Sequence, residues 1–517
     1  MKHLLLLLLL LIGAALAAGA RASADWQAKT DRAVLDATAR GGTAEFLVVL
    51  DEQADLSAAH AAQNKTARGR AVYEAMTAVA ARTQAPLRVL LDERGANYRA
   101  YWVHNMIWVR GGRELVQLLA ARPDVSAIRA NTWQRIELPV PVPATAARTS
   151  DSVEWNIQIV RAPQVWAQGV TGEGAVVGGQ DTGYQWDHPA LKARYRGWSG
   201  NQADHNYNWH DAIHAPLQGG PGSNSCGYEL TTPCDDDGHG THTMGTMVGA
   251  TPQLNIGMAP GAKWIGCRNM DEGFGSPATY SECFEWFIAP YPLGGDPFTD
   301  GDPARAPDVI NNSWSCPPSE GCTAPDVLRA VVEAVRAAGI VTVHSAGNNG
   351  FSGCSSITTP AAIYDASFTV GATDDQNRIA GFSSRGPVTI DGSGRRKPDI
   401  VAPGVDIRSS LPTYLANPNE PYGTIDGTSM AAPHVAGLVA LLVSAEPLLA
   451  GRVDAIEAII TNSALPLMTD EGCGTDAPNS LPNNVYGWGR IDALAAYEAL
   501  GGGIITYDVF VPVLKPR

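Results

Sequence analysis

The first 225 residues of this 517-residue chain contain no cysteine, and no stretch beyond the N-terminus reads as long and apolar enough to span a bilayer. Charge is sparse at 17% of residues, and it leans acidic, with 37 Lys and Arg against 52 Asp and Glu and a formal net charge of −15. Without a basic excess there is no electrostatic footprint for nucleic acid, so no nucleic-acid partner is expected. No C-x-x-C pair occurs, which weighs against a zinc site. No internal repeat stands out.

What the chain does have is a hydrophobic fraction of 45%, the composition of a packed globular protein. Its length exceeds one typical core, so two or more domains are expected. Lys2 and His3 precede the leucine run Leu4 to Ile12, and small residues continue to Ala24. That is the build of a secretory signal peptide over residues 1–24, with Ala22-Ser23-Ala24 as the cleavage site and Ala15-Leu16-Ala17 as its competitor. A membrane anchor is the alternative, disfavoured by the short run; export, with no integral span after signal removal, is the expectation.

The eight cysteines all lie between Cys226 and Cys473, an even count that suits disulfides in an exported chain. Short separations suggest Cys226 with Cys234 and Cys316 with Cys322, and elimination leaves Cys267 with Cys283 and Cys354 with Cys473.

Two units follow. In residues 25–148, Glu45 to Leu50 reads as a strand, Lys65 to Arg94 as a helix, Tyr98 to Arg110 as a strand, Gly112 to Leu119 as a helix and Val125 to Ile136 as a last strand. This suits a small α+β sandwich with helices on one sheet face. Leu138-Pro139-Val140-Pro141-Val142-Pro143 closes it as an extended linker. Over residues 149–500 strands alternate with helices, as in Gly174 to Gln180, Ala262 to Arg268, Asp308 to Ser313, Val327 to Ala338, Ile340 to His344 and Ala366 to Gly371. Alternation of this kind implies an α/β fold, a mostly parallel central sheet with helices on both faces and ligands at the carboxyl ends of the strands. Residues 501–517 form a short tail.

Four motifs sit at such ends. Asp181-Thr182-Gly183 leaves a strand, and its carboxylate suits an orienting role. Asp237-Gly238-His239-Gly240-Thr241-His242 opens a helix. Its histidines are three positions apart with no accompanying Glu, so the zinc-peptidase H-E-x-x-H pattern is absent. His344-Ser345-Ala346-Gly347-Asn348 ends a strand in an asparagine amide. Gly427-Thr428-Ser429-Met430-Ala431-Ala432-Pro433-His434 places a serine in the first turn of a buried apolar helix, beside free amides and a partial positive charge. Pro433 is expected near that helix start, where its missing amide has no intrahelical partner anyway.

The order Asp, His, Asn, Ser in the motifs DTG, HGTH, SAGN and GTSMAAP resembles the subtilisin-like serine peptidases, the subtilases. The likeness runs from Trp155 to Tyr497, and Ala262 to Ile265 with Val309 to Trp314 looks most like the bacillopeptidase F-like branch. It implies a subtilisin-like fold, with Ser429 as nucleophile, His239 as general base and then acid, and Asp181 as the residue that orients the imidazole. It implies Asn348 and the Ser429 amide as the oxyanion site, and Ser313, Trp314, Ser315, Ser345, Ala346 and Gly347 as substrate-binding positions. It also makes the N-terminal unit similar to a propeptide that inhibits the enzyme intramolecularly. Protein or peptide substrates, a monomer and no cofactor for the chemistry are the corresponding expectations.

Departures accompany the likeness. Ser315 stands where glycine is common, and the insertion Phe284 to Ala306 is long. Ala250 to Gly257, where many relatives carry a calcium loop, is short and lacks acidic ligands. A structural calcium is possible but not readable; the rival place, Asp235-Asp236-Asp237, reads as a solvated turn. An α/β-hydrolase would need its histidine well after the serine, and only His434 follows. An aspartic peptidase would need a second D-T-G, and a non-catalytic relative would not need all four key residues.

Overall fold

The computed structural model describes residues 26–136, 142–143, 152–216, 224–416 and 419–501, with 142, 143 and 152 described by their backbone only. The signal peptide, all of the proline-rich linker except Val142 and Pro143, most of the stretch between Pro143 and Val153 and the tail after Gly501 lie outside the described residues.

The N-terminal unit is built from β1 (Thr43–Leu50), α1 (Lys65–Glu93), β2 (Asn97–Tyr101), β3 (Met106–Gly112), α2 (Arg113–Ala120) and β4 (Val125–Ala130). Its four strands lie in the order β2-β3-β1-β4, antiparallel at each pairing. Phe46, Val48, Leu50, Ile107 and Val109 face α1 and α2, where Leu87, Leu91, Val116 and Leu119 complete a core. Leu47, Val49, Met106 and Tyr101 belong instead to a core shared with the rest of the chain, as alternation along a strand requires.

The run Tyr98 to Arg110 is two strands and not one. A turn at Val103–Asn105 folds β2 back on β3, with His104 at φ 55° and Asn105 at φ 37°. No glycine or proline marks it. The side chain of Asn105 holds it by donating to the Glu52 carbonyl at 2.7 Å and to the Thr83 hydroxyl at 2.9 Å.

Downstream, β6 (Val176–Asp181), β7 (Trp209–Asp211), β8 (Lys263–Arg268), β10 (Val309–Asn312), β11 (Val341–Ser345), β12 (Phe368–Thr373) and β13 (Ile400–Pro403) form a seven-stranded sheet in the order β13-β12-β11-β10-β6-β8-β7. Every pairing is parallel, and β10, β11, β12 and β13 are buried at every position, the signature of a sheet covered on both faces. The helices α3 (His239–Val248) and α6 (Thr428–Ala445) pack together against one face, and α4 (Pro277–Ile288) and α5 (Arg329–Ala337) belong to the core shared with the N-terminal unit. A short strand, β9 (Phe274–Gly275), precedes α4.

By length and apolarity alone α6 could cross a membrane, contrary to the expectation that no stretch beyond the N-terminus could; it is buried along nearly its whole length as a core helix. All four disulfides form as expected: Cys226–Cys234, Cys267–Cys283, Cys316–Cys322 and Cys354–Cys473.

The N-terminal unit sits on α4 and on the insertion after it. Glu285 accepts from the amides of Trp102 at 2.7 Å and Val103 at 2.9 Å, and Glu282 accepts from the Tyr101 hydroxyl at 2.9 Å. Lys65 reaches Asp308 at 2.6 Å, and the Trp102 indole donates to the Pro297 carbonyl at 3.0 Å.

Candidate active site

Each motif lands at the carboxyl edge of the central sheet or at the helix that follows. Asp181 ends β6, His239 opens α3, Ser345 ends β11 with Asn348 three residues on, and Ser429 is the second residue of α6. Close approach brings them together: a Cβ on Gly240 would lie 2.1 Å from the Gly183 carbonyl, so glycine is required where α3 meets the turn after Asp181.

His239 Nδ1 donates to Asp181 Oδ1 at 2.7 Å, and both side chains are fully buried. The same oxygen accepts the Thr182 amide at 2.8 Å. Burial disfavours the imidazolium, but Asp181, Asp237 and Asp235 outweigh it and hold the His239 pKa above its usual 6.5. His239 Nε2 is buried with no partner among the described residues, so one ring nitrogen is fixed and the other is free.

The Ser429 hydroxyl donates to the Ser313 carbonyl at 3.1 Å and not to His239. In return the Ser313 hydroxyl donates to the Ser429 carbonyl at 2.7 Å, and Asn311 Nδ2 donates to that hydroxyl at 2.9 Å. Pro433 explains this pairing. It is the sixth residue of α6 and lies outside the first turn expected for it, so its missing amide strips the Ser429 carbonyl of its helical partner. Ser313 supplies the substitute.

Asn348 Oδ1 accepts from the Thr428 amide at 3.0 Å and from the Thr428 hydroxyl at 2.9 Å. That pair fixes the flip of the amide and leaves Nδ2 as the free end of an exposed side chain. The Ser429 amide, in the first turn of α6, has no intrahelical partner either. Two N–H donors thus flank the serine.

The other expected site residues divide. Ser315 and Gly347 are partly exposed beside α6; Ser345 and Ala346 are buried at the end of β11. Trp314 is turned inward, 3% exposed and stacked on Tyr280 with centroids 3.9 Å apart, so its ring is part of the core.

The acidic run is no solvated turn. Asp235 is fully buried and accepts from Thr182 Oγ1, the Gly238 amide, and both the amide and hydroxyl of Thr241 at 2.6–2.8 Å. Asp236 pairs with the buried Arg268, which also meets Asp271 at 2.9 Å. Burial and hydrogen bonding, with Arg268 supplying the countercharge, tie this run to the start of α3. Asp235 and Thr428 thus act on the site without having been legible; Thr428 carried a signal, since it adjoins the serine in the same motif.

Residues 172–489 match the family model described as the subtilase family. Bacillopeptidase F of Bacillus subtilis is 38% identical over 418 residues, covering 78% of this chain and 26% of that protein. Subtilisin amylosacchariticus of Bacillus subtilis subsp. amylosacchariticus is 32% identical over 300 residues, 58% of this chain and 63% of that protein. Subtilisin of Bacillus pumilus is 31% identical over 300 residues, 58% of this chain and 87% of that protein. The chain therefore spans about a quarter of the first of these relatives and less than two thirds of the second. With the Asp–His pair, the serine on its helix and the parallel sheet that carries them, the match over residues 172–489 places this chain in the subtilase family.

Proposed function

We propose that the protein is an exported serine endopeptidase that cuts peptide bonds through an acyl-enzyme and is made as a self-processed precursor. The observation that carries this reading is the 2.7 Å bond between buried Asp181 and His239, in a chain whose Ser429 stands at the N-terminus of α6.

In the proposed cycle the Ser429 hydroxyl leaves the Ser313 carbonyl and gives its proton to His239 Nε2 as its oxygen attacks the substrate carbonyl. Asp181 holds Nδ1–H, so the free nitrogen is the correct tautomer for a base. The Ser429 amide and Asn348 Nδ2 receive the oxyanion. His239 then returns the proton to the leaving amine, and water repeats the sequence on the ester. None of these steps calls for a cofactor. Ser313 and Ser315 offer backbone for antiparallel pairing with an extended peptide, which reads main chain broadly. The side-chain preference is for large apolar or aromatic residues before the cut, on the small residues Ser345, Ala346 and Gly347; strict cleavage of a peptide library after Arg or Lys would remove it.

Self-inhibition is supported by the end of the N-terminal unit. Gln134 and Arg135, here β5, pair antiparallel with β9, and the Ile136 amide donates to the Gly273 carbonyl at 3.0 Å. Arg135 there lies 3.9 Å from Asp237, two positions before His239, and the proposed processing point is between Pro143 and Val153.

The test is the mass of the chain over time, wild type beside Ser429→Ala, expressed under oxidising conditions. Wild type should lose its N-terminal unit while the variant stays whole. If both stay whole and a serine-directed phosphonate leaves the wild type unlabelled, the peptidase reading fails.

A further inference from the structure

Far along the chain from the reacting residues, Leu465, Met468, Leu481 and Trp488 are 37–60% exposed, four of the ten large hydrophobic side chains exposed among the described residues. Three segments that lie side by side carry them. Leu465 and Arg490 exchange amide–carbonyl hydrogen bonds at 2.8 and 2.9 Å. Asn483 Nδ2 donates to the Leu467 carbonyl at 3.0 Å, and the Asn479 amide donates to the Thr469 carbonyl at 2.8 Å. Leu467 packs inward on Val401, Cys473, Val485 and Tyr486, which fixes the segment that presents Met468 to solvent. Single exposed hydrophobics are ordinary, but four on adjoining segments form a patch of the kind that marks a docking surface.

We propose that residues 504–514 of the same chain fold back and cover this patch, with Lys515 and Arg517 meeting Asp470. The strand that holds Trp488 and Arg490 leads directly into a helix, α7 (Ala493–Gly501), whose Leu494, Tyr497 and Leu500 are only partly buried. At 1.5 Å per residue α7 carries the chain about 13 Å from the patch. Gly501-Gly502-Gly503 then allow a reversal, and of the 11 residues from Ile504 to Leu514 eight are apolar or aromatic. Extended, that run reaches about 36 Å, more than enough to return along α7. The charges match: two cations follow the run, and Asp470 is exposed beside Met468 while Glu471 is taken by Arg385. A second copy of the chain would have to supply a matching face from solution, whereas a tethered segment is present at about millimolar effective concentration.

The experiment uses the Ser429→Ala chain, whole and shortened to residue 501, with a synthetic peptide of residues 504–517 that carries photoreactive benzoylphenylalanine at position 510. The peptide should cross-link to the segments around Met468, Leu481 and Trp488 of the shortened chain, and at least about tenfold less to the whole chain, whose own copy competes. Met468→Glu, at an exposed position outside the core, should abolish the cross-link without moving Tm. Asp470→Lys should weaken it about two- to fivefold in low salt, the size of one exposed ion pair, and not in high salt, which screens such pairs. In the whole chain, Phe510→Asp should raise binding of a hydrophobic dye about twofold or more, as expected when an apolar patch is uncovered, a readout independent of whether the shortened chain folds. Equal cross-linking of the whole and shortened chains, cross-links confined to other segments, a cross-link that survives Met468→Glu, or unchanged dye binding in Phe510→Asp would each overturn the docking. So would dimerisation of the whole chain, or its flotation with phosphatidylglycerol vesicles, if either is lost on shortening to residue 501, because the tail would then serve a second copy or a membrane.

Discussion

The two sheets of this molecule are finished in different ways. The central parallel sheet is closed by its own helices, with β10, β11 and β12 buried at every position, and the four disulfides all lie in that half of the chain. The N-terminal antiparallel sheet has helices on one face only; its other face, with Leu47, Val49 and Met106, joins a core completed by α4 and α5. The N-terminal unit owns one core, on its helix face, and shares a second with the larger region.

The attachments of the shared face are also of a particular kind. Buried carboxylates of the larger region, Glu282, Glu285 and Asp308, accept from Tyr101, from the amides of Trp102 and Val103, and from Lys65. These polar attachments ring an apolar contact in which Leu47, Val49, Met76, Trp102 and Met106 of the N-terminal unit are buried. The insertion after α4 adds the Pro297 carbonyl to the same face. The larger region is stapled by disulfides, and the N-terminal unit, which holds no cysteine, is attached to it by packing and hydrogen bonds alone.

The contrast can be broken first at the staples. Replacing Cys354 and Cys473 by Ser opens a link across 119 residues, and about 4 kcal/mol of stability should disappear from the larger region. Chemical denaturation with residue-resolved hydrogen exchange checks this: β1 to β4, which hold no cysteine, should keep their own protection order. Uniform loss across both regions would mean that they unfold as one.

At the site, Asn348→Ala should lower kcat by about 10²–10³, the size known for loss of this kind of donor in subtilisin, while leaving the N-terminal unit docked. A change in KM with kcat intact would place the asparagine in substrate binding instead.

Glu285→Ala should act the other way round, on docking and not on chemistry. Removing the acceptor of two main-chain amides should weaken retention of the cleaved N-terminal unit about 5- to 30-fold, in line with about 1–2 kcal/mol for two hydrogen bonds to a carboxyl whose pKa burial pushes well above its usual range. Size-exclusion of the processed material reads the retained fraction.

The smallest effect concerns pH. His214 lies 2.8 Å from Glu282, with Glu229 at 3.1 Å from its other nitrogen, and Arg99 of the N-terminal unit is 3.7 Å from both carboxylates. His210, 2.9 Å from Glu282, the Tyr101 hydroxyl and Asp211 complete the surroundings. Burial lowers the His214 pKa, Glu282 raises it to a net value above 6.5, and Arg99 opposes the rise. Departure of the N-terminal unit removes Arg99 and part of the burial, so the separated domain binds this proton more tightly than the docked one. By linkage, docking strengthens as pH rises above the docked pKa, at most tenfold per pH unit, and levels off above the still higher pKa of the separated domain. His214→Gln should flatten that slope; a slope that survives the change would assign it to other groups.

Much of this was legible along the chain. The strand ends at Asp181 and Ser345 and the helix starts at His239 and Ser429 were marked by alternation of apolar runs with glycine and small residues, which is local chemistry. Two disulfide pairings followed from short spacing and the other two by elimination. The turn at His104 and Asn105 was not legible, because it has no glycine or proline and is held by Glu52 and Thr83 from elsewhere in the unit. The burial of Asp235 and Asp236 was equally hidden, since their partners Thr182 and Arg268 lie 53 and 32 residues away.

The sequence by itself determined the family, the order and edge placement of Asp181, His239, Asn348 and Ser429 and the alternation that makes the sheet parallel, because each depends on neighbours within a few residues. Only the tertiary structure decided which carboxylates are buried and paired, that Ser313 replaces the hydrogen bond Pro433 removes, and that the N-terminal sheet completes its core on α4. Those outcomes depend on how charges and unsatisfied carbonyls from distant segments find partners once water is excluded, and no local pattern records that pairing.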